Sequence, residues 1–435
     1  VPPSKSKKTL PLLEPSQSEW RISKLVPGGA GFLRLENGQG AFVAGALPGE
    51  RVSVQQAEDH GGYLQAKSWT LLEASVDRVT PSCPVQAQCG GCDFMTLAYP
   101  AQLEAKRGLL LDALTRVGRF DFLPEVRFVP SREQLRYRAR IRLHVGSGAR
   151  LGFYATQSRD LVEISSCPVA APELNDALPT LRSIVRRHAS DAARLSELEL
   201  RVAPAGPRLA VHLVPTDRSF DLAAPIMNAL QRGFAVSVAD KSPDPLQDQR
   251  FPLPGDSELR APGGGFTQVN WAVNVHLIQA LMTGVERLRV HSFCDLYCGA
   301  GNFSLPLFKR GLTGLGIEYS KAAIAAAKRA AKEQSLSGAR FIAGDVRAEL
   351  ERLPRGEQFD LAVLDPPRSG ARDLLVELIR RAPRHIAYCA CDPVTLARDL
   401  RTLCDAGYVL QQVTGFDMFP QTHHFETLAW LQRAS

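Results

Sequence analysis

Residues 295–303 read D-L-Y-C-G-A-G-N-F, and this passage from an apolar run into a glycine turn decides the fold. The run before it, Val290–Leu296, has the character of a buried strand. Gly299 and Gly301 permit a tight turn and let the backbone approach a ligand closely. The same alternation continues downstream. Thr313–Glu318 leads to an Ala-rich helix over Lys321–Gln334, Phe359–Leu364 ends in D-P-P, and His385–Cys389 ends at Cys391. Strands and helices alternating at this length predict an α/β fold with a doubly wound parallel sheet, whose ligands lie beyond the carboxyl ends of the strands. The glycine loop, Glu318, Asp365 and Cys391 all fall at such ends. Glu426 opens its strand instead, so it joins that edge only if the last strand runs antiparallel. A dinucleotide fingerprint would place a third glycine where this chain has Ser304, so the loop is read as serving a nucleoside-like ligand.

The residues at this edge are chemically specific. Glu318 is placed to accept both hydroxyls of a ribose, and Asp345, in F-I-A-G-D, either accepts an adenine amino group or caps the next helix. In L-D-P-P-R (364–368) two prolines remove two N–H donors and hold Asp365 in an extended turn. Cys391 precedes Asp392, which can cap a helix whose first residue is Pro393. A thiol at a helix N-terminus is expected to have a lowered pKa. Cys389 is the rival nucleophile and reads as an inert core cysteine, as do Cys294, Cys298 and Cys404. Near the C-terminus, D-M-F-P-Q-T-H-H-F-E (417–426) supplies Glu426 as a base, with His423 and His424 as alternatives. A thiolate nucleophile and a separate base are therefore expected at one site.

Upstream the chain changes character. Short apolar runs between residues 18 and 72, broken by P-G-G-A-G, N-G-Q-G and H-G-G, predict a small all-β module of the OB type, a fold that often binds oligonucleotides. Cys83, Cys89 and Cys92 follow in C-P-V-Q-A-Q-C-G-G-C, and Tyr99–Arg119 has helical periodicity. Leu135–Val145 alternates strictly, which puts Arg136, Arg138, Arg140 and Arg142 on one face of a predicted strand, suited to gripping phosphates. Asp240–Leu259, rich in Asp, Pro and Gln, reads as a linker. The whole chain has 435 residues, nine cysteines and a net charge of +7, a balance that favours a polyanionic partner. No run of about 18 apolar residues occurs, and V-P-P-S-K-S-K-K is a charged stretch without the apolar core of a secretory signal, so neither a membrane span nor secretion is expected.

Six segments carry a resemblance: F-T-Q-V-N (266–270), L-Y-C-G-A-G-N-F (296–303), G-I-E (316–318), D-P-P-R, the C-x-P-x-T-L-A-R-D-L stretch from Cys391, and D-M-F-P-x-T-x-H-x-E. In this order the chain resembles the uracil-C5 RNA methyltransferases, which make 5-methyluridine in ribosomal and transfer RNA. The resemblance implies a class I S-adenosylmethionine-dependent methyltransferase domain over 261–435, a TRAM barrel over 16–75 and a central α+β iron–sulfur domain over 76–260, after a tail at 1–15. It implies Cys391 as nucleophile, Glu426 as base, and Gln268, Tyr297, Asn302, Glu318, Asp345 and Asp365 lining the pocket for S-adenosylmethionine and uridine. G-F-Y (152–154) through E-I-S-S-C-P-V (163–169) adds Cys167, and with Cys83, Cys89 and Cys92 it implies a [4Fe–4S] cluster. Two departures stand out: Asp392 where the family has Asn, and Ala139 where Y-R-N-K has Asn.

The chemistry fits that set. Uracil C5 is a poor nucleophile until a thiolate adds to C6, and the C5 proton must then leave to a base before the thiolate is expelled. The target base has to leave any stack. A cytosine-C5 enzyme would carry a cysteine beside the D-P-P prolines, and a radical enzyme would space its cysteines C-x3-C-x2-C. A cytoplasmic, monomeric enzyme acting on 23S ribosomal RNA is expected. The alternatives are a transfer RNA substrate, a non-catalytic iron–sulfur RNA-binding factor, or Zn in place of the cluster.

Overall fold

The computed structural model describes residues 19–205, 208–216, 224–239, 248–354 and 356–434. The proposed tail at 1–15 lies outside them. The described residues form two compact units: those up to Gln86 with Gly91–Leu109 and Pro420–His423, and Ala87–Gly90 with Leu110–Phe419 and His424 onward.

The first unit is built on a six-stranded sheet in the order Glu19–Arg21, Arg51–Asp59, Tyr63–Glu73, Gly40–Val43, Gly31–Arg34, Lys24–Leu25. All its pairs are antiparallel except Gly40–Val43 with Tyr63–Glu73. Alternate residues Trp20, Ile22, Leu33, Val43, Val52 and Val54 form its core. In the same unit Gln102 and Gln421 exchange amide hydrogen bonds of 3.0 and 2.9 Å, and His423 bonds Asp93 through its backbone N–H and its ring.

The second unit holds two large sheets. One runs Leu161–Glu163, Arg150–Tyr154, Arg140–Gly146, Leu195–Val202, Leu209–Pro215, Ala235–Val238, antiparallel save for its last pair. The arginine strand begins only at Arg140, because Arg136 takes a left-handed φ of 59° and breaks the extension. Its arginines also face acids: Arg140 pairs with Glu199, and Arg142 with Glu197 and Glu199 on the neighbouring strand. The expected phosphate-gripping face is thus internally paired at those two positions. Within the segment read as a linker, Gln249–Leu253 and Ser257–Ala261 form an antiparallel hairpin whose Phe251, Leu253 and Leu259 join the core around helix Trp271–Leu288; 240–247 lie outside the described residues.

The other sheet has eight strands: Ala339–Ala343, Thr313–Glu318, Ser292–Leu296, Leu361–Leu364, His385–Ala390, Glu426–Arg433, Tyr408–Phe416, Val126–Val129. The first five are parallel. Glu426–Arg433 runs antiparallel to His385–Ala390, with Thr427 opposite Ala390, so Glu426 does reach the carboxyl edge. The eighth strand, Val126–Val129, comes from before the central sheet and pairs in parallel with Tyr408–Phe416. Helix Trp271–Leu288 lies tight on the sheet at Gly284, where an added Cβ would sit 2.2 Å from the Trp430 ring. Strand order reverses between Ser292–Leu296 and Leu361–Leu364, and the crevice beyond such a switch point is where open α/β sheets bind ligands.

Candidate active site

The glycine loop rises from that switch point. Tyr297, Gly299 and Gly301 all have positive φ (69°, 55° and 96°), and a Cβ on Gly299 would meet open space. Such left-handed residues make a tight turn, and at the two glycines no Cβ crowds it, so a ligand can approach its backbone closely. Glu318 accepts from the N–H of Gly299 at 3.2 Å and of Ser320 at 2.8 Å, which fixes its carboxylate beside the loop. Asn302 exchanges two amide hydrogen bonds with the buried Asn274, 2.9 and 3.0 Å, so its side chain braces the loop against helix Trp271–Leu288. Asp345 is exposed and caps helix Val346–Arg352, accepting from Ala348 N at 2.9 Å; of the two roles open to it, the cap is the one its geometry displays. Gln268 is buried just ahead of that same long helix, whose N-cap Asn270 accepts from Val273 N.

Beyond the next strands the candidate reacting groups converge. Asp365 ends Leu361–Leu364 and is tied back by its N–H to Leu296 O at 3.2 Å. Cys389, Asp365 and Glu426 place their sulfur and oxygen atoms within 4.8 Å of one another. Burial raises Asp365 to about 7 and lifts Glu426 well above the ordinary carboxylate range, with the Asp365 charge adding to the effect on Glu426 and the Arg368 guanidinium opposing it. Cys391 is half-buried at the strand end, directly before the helix Pro393–Asp405.

The expectation of a lowered Cys391 pKa is not met. Burial raises it to about 12, the Glu426 charge adds to the rise, and only Arg368 pulls it down. The helix start gives little help, for a local reason. Pro393 has no N–H, and the N–H groups of Val394 and Thr395 are taken by the Asp392 carboxylate at 2.9 and 2.8 Å. The capping charge itself raises the thiol.

Two neighbours escaped the reading of the sequence. Arg368 supplies the positive charge that lowers both Cys391 and Glu426, and its Nη2 lies 3.5 Å from His424 Nε2. The D-P-P-R motif contained it, but nothing local said that its charge faces the thiol. Cys389 is fully buried yet sits among carboxylates, which its apolar strand context concealed. The loop after Arg368 is locked by a network in which Tyr388 OH and Ala371 N–H donate to Asp399 at 2.7 and 2.8 Å.

The four upstream cysteines are half-buried on braced loops. Within the first unit Gln86 N–H donates to Cys83 O at 3.3 Å and its side chain to Cys92 O at 3.3 Å. Within the second, Cys89 bridges Ala155, and Cys167 N–H donates to Asn175 Oδ1 at 2.8 Å while Asn175 returns a bond to Cys167 O. Half-buried thiols on fixed backbone have the chemistry of thiolate ligands.

Strand order, switch-point glycine loop and the acid after the second strand together define a class I S-adenosylmethionine-dependent methyltransferase. A family model described as tRNA (Uracil-5-)-methyltransferase matches residues 255–434. The 23S rRNA (uracil(1939)-C(5))-methyltransferase RlmD of Aeromonas hydrophila is 33% identical over 97% of each chain. Its counterpart from Pectobacterium carotovorum is 34% identical over 94% of this chain and 92% of its own. The crystal structure of Pyrococcus abyssi tRNA (uracil-54, C5)-methyltransferase with S-adenosyl-L-homocysteine superposes with a TM-score of 0.74 at 27% identity, covering 95% of this chain and all of that one. The chain belongs to the uracil-C5 RNA methyltransferase family and is an RNA methyltransferase.

Proposed function

We propose that this enzyme methylates C5 of a uridine in 23S ribosomal RNA, the one equivalent to uridine 1939 named for its bacterial relatives. The observation that carries the chemistry is the convergence of Cys391, Glu426, Asp365 and Arg368 at one sheet edge. Bound S-adenosylmethionine would supply the methyl group, with Glu318 and Gly299 at its ribose and Gln268, Tyr297, Asn302, Asp345 and Asp365 around the rest of the cofactor and the uracil.

Cys391 adds to uracil C6, and negative charge passes to C5 and O4. Arg368 favours the thiolate, offsetting part of the burial that disfavours it. After C5 is methylated, Glu426 takes the C5 proton and the thiolate leaves. Cys83, Cys89, Cys92 and Cys167 would hold a [4Fe–4S] cluster, in which four thiolates leave no open iron and the role is structural. The N-terminal six-stranded sheet acts as the TRAM-type RNA-binding module, ahead of a central domain reaching to about residue 260 and the catalytic domain after it.

Ribosomal rather than transfer RNA is favoured because relatives named for 23S RNA match the chain nearly end to end at 33–34% identity. The archaeal enzyme named for tRNA uracil-54 supports the second reading. Mapping 5-methyluridine in both RNAs from a deletion strain separates them. Loss at one 23S uridine with transfer RNA intact is the expected result; loss from transfer RNA alone would establish the other substrate.

A further inference from the structure

Cys389 lies buried against two carboxylates of the candidate site, Asp365 and Glu426. It is fully buried, donates toward Glu426 Oε2 at 4.0 Å, and its sulfur lies within 4.8 Å of an Asp365 carboxylate oxygen. All three side chains lie within 4.8 Å, on strands His385–Ala390, Leu361–Leu364 and Glu426–Arg433. An ordinary core cysteine packs among apolar groups; this one has two acids as neighbours.

We propose that Cys389 is a positioning residue for the elimination step, relaying the single proton that Asp365 and Glu426 share so that Glu426 is ionised when the C5 proton must be taken. The inference rests on Glu426 being the base. Two carboxylates this close do not both ionise easily, so one proton resides on the pair. Burial raises both carboxyls, and a proton held on Glu426 blocks base catalysis. The relay moves it. The Glu426 O–H proton passes to the Cys389 sulfur while the Cys389 S–H proton passes to an Asp365 oxygen. One O–H bond breaks and another forms, one S–H bond breaks and another forms, and the thiol ends as it began. Glu426 is left as the carboxylate, favoured by the Arg368 charge, and Asp365 as the acid. Cys389 suits this task because burial and the charges of Asp365, Glu426 and Cys391 keep its thiol protonated at every working pH. The other charged groups acting on the pair are Arg368 on Glu426, and Asp295, itself raised in part by Asp365.

The test compares Cys389→Val, which keeps bulk but removes the S–H, with Cys389→Ser, which keeps a relaying proton. Using full-length protein and natural RNA, the covalent Cys391–RNA adduct is quenched in denaturant, and its formation and decay are timed across pH. Adduct formation with 5-fluorouridine RNA precedes proton loss and should be unchanged in both variants. Decay of the methylated adduct should slow about tenfold or more in Cys389→Val, with its pH profile displaced upward, and recover most of that in Cys389→Ser. In heavy water the wild-type decay should slow, because the relayed O–H and S–H protons exchange with solvent while the C5 proton stays on carbon, and the decay of the Val variant should change little. Equal decay rates and profiles in wild type and Cys389→Val would overturn the relay, as would Ser performing no better than Val at matched S-adenosylmethionine affinity. If Val does not fold, the heavy-water dependence of the wild type decides by itself, since a decay rate unchanged in heavy water refutes the relay. Glu426→Gln separates this from the parent reading: normal turnover there refutes the base, whereas a trapped adduct there with normal decay in Cys389→Val refutes only the relay.

Discussion

Asp392 stands between the nucleophile and the helix it caps, and its charge works against the thiolate. An amide at this position keeps an acceptor for Val394 N and Thr395 N, so the helix start survives, while the negative charge beside Cys391 is gone. Asp392→Asn should therefore lower the Cys391 pKa from its raised position near 12. Alkylation of Cys391 by iodoacetamide, followed against pH, should show the rise in rate at lower pH in the variant, and an unchanged profile would show that burial and Glu426 alone set the thiol. At the partner residue, Glu426→Gln should allow addition and methyl transfer but not proton removal. A denaturation-resistant protein–RNA adduct should then accumulate with natural RNA, and Cys391→Ala should form none. The place of these two residues at the sheet edge was legible because each sits in a local pattern, a cysteine before Asp-Pro and an acid opening an apolar strand. Arg368 and Cys389 were not, because their importance comes from which strand ends meet, and strand order is not written in any one segment.

Elements carry a second group of consequences. Strand Ser292–Leu296 buries Asp295 completely, and burial raises its carboxyl to about 7 although Ser304 donates to it. Its Oδ1 has no hydrogen-bond partner among the described residues, in keeping with a neutral acid. The folded state thus holds a proton that the unfolded chain releases near pH 4. For an acid whose folded pKa is raised, stability is greatest below the unfolded value and falls as pH rises towards the folded one. Thermal melts of the wild type should lose stability between about pH 4 and 7 relative to Asp295→Asn, by an amount on the order of a few kcal/mol. Parallel pH profiles would mean that Asp295 titrates normally. The arginine strand makes a different point. Alternation placed Arg140 and Arg142 on one face correctly, but Glu197 and Glu199 come from a strand some fifty residues later, so their pairing was invisible locally. Replacing Arg140 and Arg142 together with Glu leaves Glu199 buried without its cation and should cost about 3–5 kcal/mol. Melting temperature should fall before any change in the salt dependence of RNA binding is seen. The eighth strand, Val126–Val129, escaped for a related reason: four residues with a charge among them carry too little periodicity, and their partner lies near the other end of the chain.

At the scale of the whole molecule, a net charge of +7 favours RNA in general, while the four upstream cysteines carry the more specific prediction. A cluster held by Cys83, Cys89, Cys92 and Cys167 would be ligated by segments 84 residues apart at their extremes, 167 less 83. Drawing such distant segments together is a structural task and uses no change of oxidation state. The proton and methyl chemistry at Cys391 and Glu426 is likewise complete without an electron. Oxidised and reduced protein should therefore methylate RNA at the same rate while the cluster is intact, and a strict need for a reductant during turnover would count against the assignment. Purified anaerobically, the protein should be brown and contain about four iron and four sulfide per chain. A colourless protein with one Zn would assign the same thiolates to a tetrahedral site. Cys167→Ser should lose metal and bind RNA more weakly whatever its sequence, because phosphate and shape contacts position RNA without reading bases. Affinity for S-adenosylmethionine should hold, since the glycine loop, Glu318 and Asp365 are braced by the parallel strands themselves, Gly299 N–H to Glu318 and Asp365 N–H to Leu296 O. Loss of cofactor binding together with RNA binding would instead make the cluster a requirement for folding the catalytic sheet.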